Sequence, residues 1–177
     1  ITVSHNHFYA GHGMSIGSET EGGAAAIRVT DLSVDGADNA MRIKSNSSKG
    51  GLVEDVVYED VCVRDTKNPI LMDTNYEGFG KGGAKPPVFT DITLRKVRVL
   101  PGGTFTLQGF DAAHRLGMTF DNVYLDAPAK IVAQFADFTL GPGPVNFAPS
   151  GEGVRVKGEP GKGAPNACKD KFVPMPR

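Results

Sequence analysis

Four stretches of strict apolar alternation, written in one frame, limit what this chain can fold into more than any other feature. Ile27-Arg28-Val29-Thr30-Asp31-Leu32-Ser33-Val34 returns as Val56–Val63, Ile92–Val99 and Met118–Leu125. Each copy is followed by a shorter alternation, at Met41–Ile43, Ile70–Met72, Phe105–Leu107 and Ile131–Ala133. The head of the chain fits the same scheme, with Ile1-Thr2-Val3 leading to Met14-Ser15-Ile16. A period of two is the period of a strand, and no segment carries the 3.6 period of an amphipathic helix. Glycine-rich turns separate the units, at Asp35-Gly36, Gly50-Gly51, Gly82-Gly83 and Pro101-Gly102-Gly103. Repeats that each offer one apolar face must stack to bury it. The expectation is an all-β chain, a parallel β-helix built as a single-stranded solenoid with about five coils visible.

The coils are expected over residues 1–140. Beyond Gly141 the pattern fades into a Gly- and Pro-rich stretch, 141–177, with one weak strand at Val154–Val156. That stretch reads as a cap or tail of the same domain, laid over the last coil and tied down by Cys168. The chain opens mid-pattern at Ile1, so the solenoid is expected to be truncated at its amino-terminal end. Cys62 and Cys168 leave three possibilities open: a mutual disulfide, burial as thiols, or a bond to another cysteine. The strong alternation around Cys62 favours a buried free thiol.

Composition excludes several function classes. The formal net charge is −1, whereas a nucleic-acid binder normally carries a basic excess. No apolar run approaches the roughly 18 residues of a membrane span. Any cationic site must therefore be local, and the alternation says where. With Met41 and Ile43 in the lumen, Arg42 and Lys44 project outward on one face. The matching outward positions are Ser15 and Gly17 one coil before and Leu71 and Asp73 one coil after. This column is expected to gather His12, Ser15, Arg42, Lys44 and Asp73 on one wall, with Tyr76 on the bordering loop. Glycines 11, 13 and 17 would let a bulky ligand approach the sheet. A guanidinium can fork onto a carboxylate while an ammonium acts as a point charge, which suits an extended acidic polysaccharide.

Competing motifs are weaker. Gly13-Met14-Ser15-Ile16-Gly17 spells a nucleophile elbow, but that device needs a helix after the strand, and Ser18–Gly23 reads as a turn. His5, His7 and His12 could begin a zinc site, yet no Cys, Asp or Glu lies in that stretch to complete it, so no metal is expected. His114 reads as a loop residue.

Gly11-His12-Gly13-Met14-Ser15-Ile16-Gly17-Ser18, then Arg42-Ile43-Lys44 and Tyr76, resemble the polygalacturonases of glycoside hydrolase family 28 over about residues 1–135. The resemblance implies a right-handed parallel β-helix and inverting hydrolysis of α-1,4-galacturonosyl linkages in pectate. It implies a catalytic role for His12 and substrate binding by Arg42, Lys44 and Tyr76, with no cofactor. It implies a polygalacturonate or pectin oligosaccharide as partner, a monomer, and a secreted, extracellular or periplasmic location. The family's three aspartates, in an Asn-Thr-Asp motif and an Asp-Asp pair ahead of the GHG segment, have no counterpart here. The chain is thus expected to match the carboxyl-terminal part of such an enzyme and to be inactive alone. The alternatives are a non-catalytic β-helix that holds acidic polysaccharide, and a lyase of similar fold, which would need calcium-binding carboxylates.

Overall fold

A computed structural model describes residues 1–78, 83–127 and 129–176. In chain order the strands are β1 Thr2–Phe8, β2 Met14–Ile16, β3 Ile27–Asp35, β4 Asn39–Lys44, β5 Leu52–Val53, β6 Val56–Arg64 and β7 Asn68–Asp73. They continue as β8 Val88–Phe89, β9 Ile92–Val99, β10 Thr104–Gln108, β11 Leu116–Leu125, β12 Lys130–Gln134, β13 Ala136–Leu140 and β14 Arg155–Gly158. The described residues form no α-helix, and one 3-10 turn spans Tyr76–Gly78.

Long and short strands segregate into two stacks. One sheet runs β1-β3-β6-β9-β11-β13-β14, a second runs β12-β10-β7-β4-β2, and a small third pairs β5 with β8. Every pairing is parallel. The chain is therefore the expected right-handed parallel β-helix, the hand that parallel crossovers take. Register carries each repeat onto the next: Val29, Tyr58, Leu94, Phe120 and Leu140 form one lumen ladder, and Met41, Ile70, Phe105 and Ile131 another.

Each long strand turns a corner in its middle. His5, Asp31, Asp60, Lys96 and Asn122 stack in a column, all with φ between 52° and 58°. Left-handed backbone at a non-glycine residue is uncommon, and Asn, Asp and His tolerate it best. That preference accounts for four of the five. The corner splits each long strand into two faces of the coil and leaves these side chains pointing outward.

Tyr58 is a polar intruder in the lumen. It is fully buried, its hydroxyl has no hydrogen-bond partner, and burial pushes its phenol well above the usual tyrosine range. A buried hydroxyl left unpaired costs free energy that an apolar ring does not. Tyr58→Phe is expected to stabilise the fold by about 1 kcal/mol, seen as a rise of about 2–4 °C in Tm. A fall in Tm would show that the hydroxyl has a partner in solution.

The carboxyl-terminal segment departs from the sequence expectation. The weak strand lies at Arg155–Gly158 and closes the seven-stranded sheet against β13. Residues after it do not stay on the last coil; they run back along the corner column towards the first. Asn122 donates to the Ala164 carbonyl, Asn166 donates to Asp60 and to the Lys96 carbonyl, and Lys171 bridges Asp31 and Asp60. The Phe172 ring lies under the Arg64 guanidinium, and the Tyr9 hydroxyl reaches the Pro174 carbonyl. Cys62 is not a free thiol: it is bonded to Cys168, 106 residues on, with a Cα–Cα separation of 5.8 Å. Alternation places Cys62 on the outer side, between lumen residues Val61 and Val63. It is buried there because this strap covers it, a long-range fact that alternation does not carry.

Candidate functional site

The five-stranded sheet presents two outward rows. Ser15, Arg42, Leu71, Thr106 and Val132 form one; Lys44, Asp73, Gln108 and Gln134 form the other. Both cations stand on β4. The Arg42 guanidinium lies 5.1 Å from the centroid of the Tyr76 ring and the Lys44 ammonium 4.0 Å from it. Each such contact is worth about 0.5–2 kcal/mol, and here the ring holds two like charges side by side.

Arg42 is less open than a solvated strand residue. It is only 6% exposed, and its Nε is buried without a hydrogen-bond partner. Neither cation makes an ion pair among the described residues. Asp73, the register neighbour of Lys44, does not neutralise it; the ammonium lies on Tyr76 instead. Asp73 accepts a hydrogen bond from the Asn75 backbone N–H at 2.9 Å. Burial pushes its carboxyl above the usual range, against the pull of that hydrogen bond and of Arg42.

A buried polar network behind the patch fixes Tyr76. Its backbone N–H donates to the Ser45 carbonyl, and its carbonyl accepts from Asn46. The Ser45 hydroxyl donates to the Ser18 carbonyl and accepts from Thr20, while Thr74 donates to the Gln108 carbonyl. Ser18, Thr20, Ser45, Asn46 and Thr74 are all buried. Sequence reasoning missed this group, although the polar run Ser45–Ser48 directly after the cations was its signal. Satisfied buried polar groups rigidify their surroundings, so the ring is held before any ligand arrives.

His12 lies in the turn two residues before β2, with Nδ1 3.9 Å from the Asp38 carboxylate. Of the expected gathering, Arg42, Lys44 and Tyr76 meet, with Ser15 and Asp73 as their register neighbours, and His12 stands in the turn one coil before them. The glycines also answer to something other than ligand approach. A Cβ on Gly13 would lie 2.3 Å from the Asn39 carbonyl oxygen, and one on Gly17 2.1 Å from that of Lys44. Both have positive φ; close stacking of the first coil on the second demands them.

The remaining motifs resolve into local structure. β2 leads into a turn and not a helix, so Ser15 sits on no elbow. His5 bonds to Asp31, His7 to Ser33 and His114 to Asp111. The Gly-rich insertion over residues 77–87, with Lys81 and Lys85, reads in the sequence as one wall of a cleft, and its residues 79–82 lie outside the described residues. Lys85 pairs with Glu21, and its backbone N–H donates to the Ser47 carbonyl.

A model of the Glycosyl hydrolases family 28 matches residues 1–140. The chain is 40% identical to a polygalacturonase of Ralstonia nicotianae and 38% identical to one of Ralstonia solanacearum, each match covering 99% of this chain and 38% of the relative. It is 41% identical to an endo-polygalacturonase of Pectobacterium parmentieri over 71% of this chain and 30% of that protein. The chain therefore spans under two-fifths of the length of these curated relatives. No solved structure matches it with significance. Solenoid, register and motif all agree with the model match: the chain belongs to the Glycosyl hydrolases family 28.

Proposed function

We propose that this chain is the part of a polygalacturonase that grips the carboxylates of an acidic galacturonan, the whole protein hydrolysing α-1,4-galacturonosyl linkages with inversion. One observation carries the reading: two cations rest on one tyrosine ring without an ion-pair partner among the described residues, and the Arg42 Nε is buried with nothing to bond. An anion with two oxygens would satisfy both, by a fork from Arg42 and a point contact from Lys44. Tyr76 fixes the two cations and offers ring edge to the sugar. His12, in the turn before β2 and one coil from the cations, would support the leaving oxygen. The disulfide supports an oxidising compartment, outside the cell or in a periplasm.

Inversion needs a carboxylic acid and a carboxylate about 6.5–9.5 Å apart, facing each other across the scissile bond. The sequence contains neither Asn-Thr-Asp nor Asp-Asp, and Asp73 adjoins the cations singly. The pure 177-residue polypeptide is expected to bind polygalacturonate in affinity electrophoresis and to release no reducing sugar from it. Release above the blank would place an acid and base within these residues and overturn the division of labour.

A further inference from the structure

Charge along the groove is not uniform. On the five-stranded sheet the outward positions of β4 are Arg42 and Lys44, but one coil on they are Leu71 and Asp73. Beyond these come Thr106 with Gln108, then Val132 with Gln134. Coils stack about 4.8 Å apart, close to the length of one sugar in an extended polymer. A uronan that sets one carboxylate on the cation pair and runs along the coils towards β12 lays its next sugar over Leu71 and Asp73.

We propose that Asp73 makes this adjoining position select a methyl-esterified uronate over a free one. The inference rests on the galacturonan reading above. At neutral pH a free uronate there would bring a second negative charge beside the Asp73 carboxylate, and like charges set side by side on one sheet face repel. Asp73 feels the pull of Arg42 but makes no ion pair among the described residues, and Lys44 is held on the Tyr76 ring 4.0 Å from its centroid. An ester removes the charge, and its methyl group finds apolar surface on half-buried Leu71. Further along, the amides of Gln108 and Gln134 can hydrogen-bond an ester or acid carbonyl without preference.

Calorimetric titration of the 177-residue chain with tetragalacturonate and with its partly methyl-esterified form tests this at pH 7. The partly esterified ligand is expected to bind about fivefold more tightly. Asp73→Asn keeps the acceptor for the Asn75 N–H and is expected to bring the two affinities within about twofold, by tightening the free acid. Gln108→Glu, a second carboxylate one coil on, is expected to widen the preference. Equal affinities in the unsubstituted chain, or an ester preference that survives Asp73→Asn, would overturn the inference. Arg42→Gln, run in parallel, separates the two levels. If it weakens both ligands with Tm unchanged, the galacturonan reading stands whatever Asp73 does. If neither ligand binds the unsubstituted chain, both fall together.

Discussion

Replacing Cys62 and Cys168 by serine is expected to destabilise the chain by about 4 kcal/mol, and to lower Tm by roughly 8–16 °C. The bond closes a loop across 106 residues, and chain-entropy estimates for loops near that length reach about 4.7 kcal/mol. It also anchors a strap with little apolar surface of its own: among the described residues, Phe172 on Arg64 is its one ring contact. Without the disulfide the strap would be held by Asn166 and by Lys171 on the corner aspartates. Those contacts depend on pH in a definite direction. Hydrogen bonds from Lys171 and then His5 lower the Asp31 carboxyl, so its contribution is present above the ordinary Asp value near 3.9. It is lost as pH falls through the lowered one. Burial pulls the Lys171 ammonium down, but its bonds to Asp31 and Asp60 outweigh that and raise it. That contribution is full below the ordinary Lys value near 10.4 and is lost as pH rises through the raised one. The serine double variant should therefore lose further stability on acidification below about pH 3, where the parent keeps its covalent tie. Identical melting curves for the two proteins at pH 7 would mean the strap is ordered by something else.

The corner column explains why the solenoid was legible in the sequence and the strap was not. Lumen ladders are local: Val29, Tyr58, Leu94 and Phe120 each declare themselves within eight residues, because a one-residue slip would expose them all. Arg42, Lys44 and Tyr76 were legible for the same reason, since alternation fixes the face of the first two and a short loop brings the third. Asp31 and Asp60 carry no such mark. Their φ values follow from bending over an already formed lumen, and their partner Lys171 lies 140 and 111 residues away. Cys62 failed likewise, its burial being supplied by residues near the far end of the chain. Gly13 and Gly17 have the positive φ that glycine permits, but their close contact with the next coil leaves no trace of its own in sequence.

Arg42→Gln should cost function and spare the fold. A buried guanidinium whose Nε lacks a partner is a liability to the free protein, since the Tyr76 ring offsets only part of the desolvation of the charge. Removing the charge while keeping an amide is thus expected to leave Tm unchanged or slightly raised, the usual sign of a residue kept for binding and not for stability. Affinity for polygalacturonate moves the other way. Hydrogen bonds to a charged partner contribute about 1.5–3 kcal/mol, so binding should weaken about 10- to 100-fold. Arg42→Lys should recover only part of this, because an ammonium cannot fork onto two carboxylate oxygens. Its salt dependence should match that of the unsubstituted chain more closely than that of Arg42→Gln, which has lost a charge facing the polymer. Measured in one titration series, a stable Arg42→Gln variant with unaltered affinity would return Arg42 to packing against Tyr76. A variant that melts early and binds weakly would say the same, since loss of fold would then explain loss of binding. Only the combination of an intact melt and a weakened grip assigns the unpartnered guanidinium to the substrate carboxylate.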